Sequence, residues 1–320
     1  MDYEAEKLFE EPGMIQITTW ARGVLQNKDA RDVVFALANA ASKEGKYVQA
    51  WENYVDLPDR VNVPVRSYAK ISPKPIESRY IYENENPDVV VLTEETLVKG
   101  VSVLEDLKPG GVLIVNTKRD SKYILQFLDD TSNLGMLGCV DATGVAGYVK
   151  TLSGAEGATD ASGIGAGVGA VLAGAIAKAK EIVKLDDLLD AVKNKEACKY
   201  GYENVKLMNV NNPNEAASAV KTRENKYGYD TLPFAGTVHS PKKENKGMVT
   251  GSWKTKRPVF DKDRCKGCLM CWLDCPDGAV LKTDEGFVDF DLKYCKGCGI
   301  CVAVCPAGAV TMVPELDFVN

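Results

Sequence analysis

Eight cysteines near the end of the chain carry its most specific chemistry. They form two runs thirty positions apart: Cys265, Cys268, Cys271 and Cys275, closed by Pro276, and Cys295, Cys298, Cys301 and Cys305, closed by Pro306. Each run reads C-x2-C-x2-C-x3-C-P, a spacing suited to thiolate ligation of cubane 4Fe–4S clusters. A cubane needs four thiolates converging on its iron corners. Three cysteines at steps of three residues on a tight turn cover three corners from one side. A fourth from the same short loop would strain the backbone, so it comes from elsewhere. The chemistry of such a site is one-electron transfer at low potential.

In bacterial two-cluster ferredoxins, which share this spacing, the fourth cysteine of each run binds the cluster of the other run. On that pattern one cluster is expected on Cys265, Cys268, Cys271 and Cys305, and the second on Cys295, Cys298, Cys301 and Cys275. Pro276 and Pro306 set the chain direction after each crossing ligand. Gly267 and Gly297 let backbone N–H groups turn toward sulfur. The repeat extends into Gly278-Ala279-Val280 and Gly308-Ala309-Val310, so a whole unit is duplicated. Two plainer readings compete. Structural zinc sites usually show C-x2-C knuckles with longer spacers and no third cysteine so close. A disulfide framework requires an oxidising compartment, of which the chain gives no other sign.

A two-cluster module takes roughly 60 residues, which in a chain of 320 leaves room for a further domain of ordinary size. Asp and Glu number 45 against 39 Lys and Arg, a formal net charge of −6, which argues against nucleic acid as the main partner. The stretch Met1 to Lys7 is acidic and lacks the apolar core of a signal peptide. The most membrane-like segment, Ile164 to Ala177, is mostly Gly and Ala and too short to span a bilayer. A cytoplasmic protein with no membrane partner is the expectation. Cys139 and Cys198 read as core thiols, and His239, in a turn-like setting, as structural. From Pro241 to Arg257 six basic residues (Lys242, Lys243, Lys246, Lys254, Lys256, Arg257) face one acidic, whereas from Pro258 onward ten acidic residues face six basic. The basic stretch reads as a solvated linker, with docking along an acidic partner surface as the alternative.

The upstream elements alternate. Met14 to Trp20, Tyr47 to Trp51, Val63 to Ile71, Asp88 to Leu92 and Val112 to Asn116 read as strands, and 28–43, 94–107 and 121–130 as helices. This pattern predicts a layered α/β N-terminal domain around a largely parallel sheet, followed by a small α+β two-cluster ferredoxin-like domain. The expected division is 1–230, a basic lead-in at 231–257, and 258–320, with the boundary near Tyr229 to Phe234. A short helix is expected to open at Asn211-Asn212-Pro213. Gly163 to Gly169 lacks the G-x-G-x-x-G spacing of a dinucleotide loop and precedes an alanine-rich helical run, so its small residues read as close helix packing.

Several stretches outside the cysteine runs resemble a known family. Thr250-Gly251-Ser252-Trp253-Lys254-Thr255-Lys256-Arg257-Pro258-Val259 resembles the lead-in of the δ subunit of 2-oxoacid:ferredoxin oxidoreductases. Glu44-Gly45-Lys46-Tyr47-Val48-Gln49-Ala50, Val63-Pro64-Val65-Arg66-Ser67-Tyr68 and Pro87-Asp88-Val89-Val90-Val91-Leu92 resemble the γ subunit of the same enzymes. The order is γ then δ, as in a fused γδ subunit. The resemblance implies a hetero-oligomer whose α and β subunits hold thiamine diphosphate, Mg and a further 4Fe–4S cluster, with external ferredoxin as electron acceptor. This chain, with two 4Fe–4S clusters and no thiamine-diphosphate motif, would carry electrons and not the carbon chemistry.

One departure bears on the substrate. Family γ subunits generally carry a G-R-G-G-Q-G loop after the first strand. Here the stretch reads Ala21-Arg22-Gly23-Val24-Leu25-Gln26-Asn27-Lys28, keeping only Arg22, Gly23 and Gln26. Glycine-rich turns at helix starts suit anionic groups, so the loss argues against coenzyme A, although neutral change in a structural loop explains it equally. Oxalate oxidation leaves only carbon dioxide and needs no acyl acceptor. An oxalate oxidoreductase γδ subunit is therefore the favoured expectation. Oxidation of pyruvate or another 2-oxoacid to acyl-CoA is the runner-up, and a stand-alone electron carrier is the competing class.

Overall fold

The computed structural model describes residues 13–53, 62–77, 83–84, 86–145, 167–211 and 249–318. The chain divides into two compact units, Met1–Val220 and Lys221–Asn320. His239, the boundary expected at 229–234, the helix expected beyond Asn211, and Lys242, Lys243 and Lys246 lie outside the described residues. So does the part of the glycine-rich run before Gly167.

The first unit is built on a seven-stranded mixed sheet in the order β2-β3-β1-β4-β5-β6-β7. Its strands are β1 (Ile15–Arg22), β2 (Tyr47–Glu52), β3 (Pro64–Ser72), β4 (Val89–Leu92), β5 (Gly111–Asn116), β6 (Leu134–Val140) and β7 (Lys206–Asn209). β1, β4, β5 and β6 run parallel, and β3 and β7 join antiparallel on either side. The expected layered α/β domain is thus present, with its parallel strands at the centre. β4 and β5 are buried at every position, as strands covered on both faces must be.

The helices are α1 (Gly23–Lys43), α2 (Ser121–Leu125), α3 (Val168–Ala179), α4 (Leu185–Ala191) and α5 (Lys195–Asn204). α1 lies on β1, β2 and β3, α3 packs on α1 and α5, and Cys139 and Cys198 are buried in the interior. Burial pushes the Cys198 thiol up to about 12, the behaviour of a packed core thiol. No described helix is long and apolar enough to cross a membrane.

Three helix boundaries differ from the sequence reading. α1 begins at Gly23 and not at Lys28, because the β1–α1 junction is closed by its own residues. Gly23 turns the chain with φ of +61°, a region that favours glycine, and its N–H reaches the Val63 carbonyl at 2.8 Å. Gln26 accepts the Arg22 N–H at 3.1 Å. The Arg22 guanidinium is fully buried and donates to Glu94, to the hydroxyl and carbonyl of Thr96 and to the Asn62 carbonyl.

The helix expected over 94–107 is only a single 3-10 turn at Glu95–Val98 followed by further turns. Glu94 is committed to Arg22, Glu95 to Arg119, and Gly100 at φ +84° stops the turn. Leu97, Val98, Val103, Leu104 and Leu107 are still buried, so the apolar spacing marked a covering loop. The helix expected over 121–130 ends at Leu125, after which i→i+3 bonds tighten the chain ahead of Asp129 and Asp130. Two carboxylates at a helix C-terminus oppose its dipole.

Close packing explains the small residues of α3. A Cβ on Gly169 would lie 2.9 Å from the Asp32 Cβ and 3.0 Å from the Asp29 carbonyl of α1. The Gly169 N–H also serves the Asp29 carboxylate, since Gly167 at the helix start has no side chain to cap it. Burial, and next the charge of Asp32, push the Asp29 carboxyl up to about 6. An acid raised in the fold binds a proton more tightly there than in the unfolded chain. Its burial therefore costs nothing below about pH 4, and stability falls as pH climbs to about 6, beyond which the full penalty remains. Asp29→Asn is expected to stabilise this unit by about 2 kcal/mol at pH 7.5 and by clearly less at pH 5, read as the difference in Tm from the parent at each pH.

The second unit is a duplication made visible. Its strands are β8 (Lys256–Phe260), β9 (Val280–Lys282), β10 (Val288–Phe290) and β11 (Val310–Pro314), with one-turn helices α6 (Met270–Leu273) and α7 (Ile300–Ala303). β9 pairs with β10, and β8 with β11, so each repeat contributes one strand to each antiparallel pair. Asp261 donates to the Ala309 carbonyl and Asp291 to the Ala279 carbonyl, both at 2.8 Å. These exchanges lock the end of each repeat onto the start of the other.

Candidate iron–sulfur site

Each cysteine run leaves its strand, loops through its first two cysteines, and places the third on a one-turn helix, Cys271 on α6 and Cys301 on α7. The fourth follows the helix, and the chain then returns through Gly278 or Gly308 into β9 or β11. Leu269 and Gly299, in matching positions, both hold positive φ ahead of the helix. Cys268 and Cys298 are exposed, Cys271 is buried, and the other five are half-buried.

Two cavities, each with about 360 Å³ of atom-free space, lie between the repeats. One is lined by Cys265, Cys268, Cys271 and Cys305, with Phe260, Leu269, Val288 and Val310. The other is lined by Cys295, Cys298, Cys301 and Cys275, with Pro258, Val280, Phe290 and Met312. Each cavity thus meets three cysteines of one run and the fourth of the other. The surroundings are apolar, as a low-dielectric redox centre requires.

Backbone donors are aimed at sulfur. Gly267 N–H reaches Cys265 Sγ at 3.4 Å, and Ala279 and Ala309 reach Cys275 and Cys305 Sγ at 3.3 and 3.2 Å. Burial alone would raise the Cys305 thiol, but the N–H groups of Ala309, Ala307, Val310 and Gly308 outweigh it and hold the thiol below its ordinary range. Burial pushes Cys301 up to about 12 and raises Cys271 and Cys295. A metal centre must therefore displace tightly held protons, with preorganised N–H groups stabilising the resulting thiolates.

The zinc reading requires four sulfurs around one ion, each at about 2.3 Å and so about 3.8 Å from one another. Among the described residues no three Cys, His, Asp or Glu side chains are placed to hold a single metal ion. Four cysteines line each cavity, the number that a 4Fe–4S cluster takes.

Known proteins match parts of both units. A profile for the pyruvate ferredoxin/flavodoxin oxidoreductase family matches residues 33–211. The chain belongs to that family. A 4Fe–4S dicluster domain matches residues 257–306, so iron–sulfur clusters are the cofactor of the second unit. The "Pyruvate/ketoisovalerate oxidoreductases common subunit gamma" of Thermococcus kodakarensis is 36% identical over 194 residues, covering 60% of this chain and 92% of the relative. The "Pyruvate synthase subunit PorD" of Thermotoga maritima is 40% identical over 51 residues, covering 16% of this chain and 50% of the relative. The crystal structure of pyruvate oxidoreductase subunit PORC from Thermotoga maritima has a TM-score of 0.45 at 28% identity, covering 61% of this chain and 98% of that one.

As a member of the oxidoreductase family, the chain is a subunit of a multi-subunit enzyme. The oxalate expectation has no support among these relatives, and the runner-up, pyruvate or a related 2-oxoacid, fits better. The physical reason lies in the altered loop. Arg22, Gly23 and Gln26, the residues it keeps, are engaged in closing the β1–α1 junction. Their retention reports on folding, and the loop is a poor measure of phosphate binding. The linker reading also needs correction. Lys254 is not solvated but only 9% exposed, and Arg257 lies within β8. Sequence charge counting missed both, although their place in the δ-like lead-in was a signal.

Proposed function

We propose that the chain is a fused γδ electron-transfer subunit of a thiamine-diphosphate-dependent 2-oxoacid:ferredoxin oxidoreductase acting on pyruvate or a branched-chain 2-oxoacid. The carrying observation is the order of its parts. A γ-type region that aligns with nearly the whole of a γ relative precedes a dicluster region in one chain. In this reading residues 1–230 form the γ-like domain, 231–257 the lead-in and 258–320 the cluster domain.

Cys265, Cys268, Cys271 and Cys305 hold one 4Fe–4S cluster, and Cys295, Cys298, Cys301 and Cys275 hold the other. When bound, such clusters supply one-electron steps at low potential. The protein's part is to keep the thiolates apart at cluster spacing, to donate N–H groups to sulfur, and to keep water out with Phe260, Val288, Val280 and Phe290. Carbon chemistry belongs to thiamine diphosphate and Mg on the α and β partners, and external ferredoxin takes the electrons.

The complex isolated through this chain, assayed anaerobically for ferredoxin reduction, is expected to oxidise pyruvate or 2-ketoisovalerate only when coenzyme A is present. Coenzyme-A-independent oxidation of oxalate would overturn the substrate. Recovery of the chain alone, with no thiamine-diphosphate-containing subunit, would instead establish a stand-alone carrier.

A further inference from the structure

We infer that Lys254, a buried cation beside the second cysteine set, raises the reduction potential of the cluster held there above that of its twin. The inference rests on the ligand assignment proposed above and concerns a residue outside the ligand set. Lys254 precedes β8 and is 9% exposed. Its ammonium donates to the Gly251 carbonyl at 2.8 Å and to the Leu292 carbonyl at 3.0 Å, three residues before Cys295. Glu315, 3% exposed, lies 4.0 Å away and is doubly bonded to Arg257. Two cations and a carboxylate are therefore gathered on one side of the second unit.

This side faces the second set. A Cβ on Gly297, in the Cys295–Cys298 loop, would lie 2.8 Å from the Lys254 Cβ and 2.4 Å from the Lys256 carbonyl. Glycine is needed there so that the loop can lie against the lysine backbone. Beside the first set the described cations are exposed: Lys266, which lines its cavity, and Arg264, which donates to the Ala307 carbonyl at 3.2 Å. The matching glycine of the first set, Gly267, faces the Gly286 carbonyl. The positions thirty residues after Lys254 and Arg257 are the exposed Asp284 and the ring of Phe287. The duplicated fold thus gives two similar cavities, and the buried cation Lys254 distinguishes the second.

Reduction adds one negative charge to a cluster already anionic with its thiolates. A buried cation packed against the loop that holds a cluster favours the reduced state of that cluster. Salt screens such a buried charge weakly. Electrons at equilibrium therefore rest on the second cluster, and the first is the stronger reductant. Lys254 is in this sense a positioning charge for electrons and not a catalytic residue. A purely structural role, joining the Gly251 and Leu292 carbonyls, predicts no selective change in potential.

The test is an EPR-monitored redox titration of the iron-loaded full chain. Cys298→Ser identifies the signal of the second cluster. Lys254→Met is expected to lower the reduced-to-oxidised ratio of that cluster about tenfold at a given potential, a shift of about 59 mV for one electron, with the first cluster unmoved. Lys254→Arg is expected to keep the parent value, as is Lys262→Met, which removes an exposed charge. An unmoved second cluster, or equal movement of both, overturns the inference. Where Lys254→Met fails to load, Glu315→Gln decides, because removing the carboxylate is expected to raise the same potential, and no rise overturns the inference. A parent chain with well under about eight irons marks failure of the ligand assignment. Eight irons without a selective shift marks failure of the Lys254 inference alone.

Discussion

Cys275→Ala is expected to cost the cluster domain about half of its iron, about four atoms of about eight, and to spare the cluster held by the run in which the mutation lies. Cys275 lines the cavity of Cys295, Cys298 and Cys301, and is absent from the cavity of its own run. Its N–H donor is Ala279, which leads directly into the exchange with Asp291 of the other repeat. The EPR signal lost in Cys275→Ala should therefore be the one lost in Cys298→Ala, while Cys305→Ala should lose the signal lost in Cys268→Ala. The opposite pairing would establish ligation within each run. Loss of all iron from either variant would show that the two clusters assemble only together. Crossed ligation also links stability to both repeats, since metal binding free energy becomes folding free energy. Each single loss is expected to lower the unfolding temperature of the second unit, whichever repeat carries the mutation.

How much of this was legible in the sequence follows from how local each signal was. The cysteine runs were legible because three cysteines sit on one short loop, so spacing and geometry are nearly the same information. The crossing was legible only through the pattern of two-cluster ferredoxins, because nothing in one run says which cavity its last cysteine meets. Asp88 to Leu92 and Val112 to Asn116 read as strands, found at Val89–Leu92 and Gly111–Asn116, because central parallel strands are apolar on both faces. The segment 94–107 misled because burial under a loop and burial under a helix leave the same apolar spacing. The deciding interactions, Glu94 with Arg22 and Glu95 with Arg119, span 72 and 24 residues. Lys254 misled for a similar reason. Its partners are carbonyls at 251 and 292, and a carbonyl acceptor has no signature in a list of side chains. Charge counting finds ion pairs more readily than it finds a cation held by backbone.

Gly201→Ala is expected to destabilise the first unit by about 3 kcal/mol or more, among the larger effects of a single methyl group. α3 and α5 cross through two glycines. A Cβ on Gly201 would lie 1.9 Å from the Val171 carbonyl oxygen, and one on Gly174 would lie 2.0 Å from that of Cys198. Each glycine thus receives the carbonyl of the residue three positions before the other. Side-chain rotation offers no escape, because the obstacle in both cases is backbone. Val171 and Cys198 are themselves fully buried against the sheet-side core, so the helices can part only by opening that core. Thermal unfolding should show a fall in Tm of about 6–12 °C, taking about 2–4 °C per kcal/mol for a unit of this size. Gly45→Ala separates sterics from conformation. Gly45 has φ of +79° but nothing within 4 Å of its Cβ position, so its substitution should cost only about 1 kcal/mol. The double variant Gly174→Ala, Gly201→Ala should cost less than the sum of the two singles, because one separation of the helices relieves both clashes. Full additivity, or a Gly201→Ala loss no larger than that at Gly45, would mean that the crossing can widen freely. The tight packing of α3 would then not be what its small residues provide.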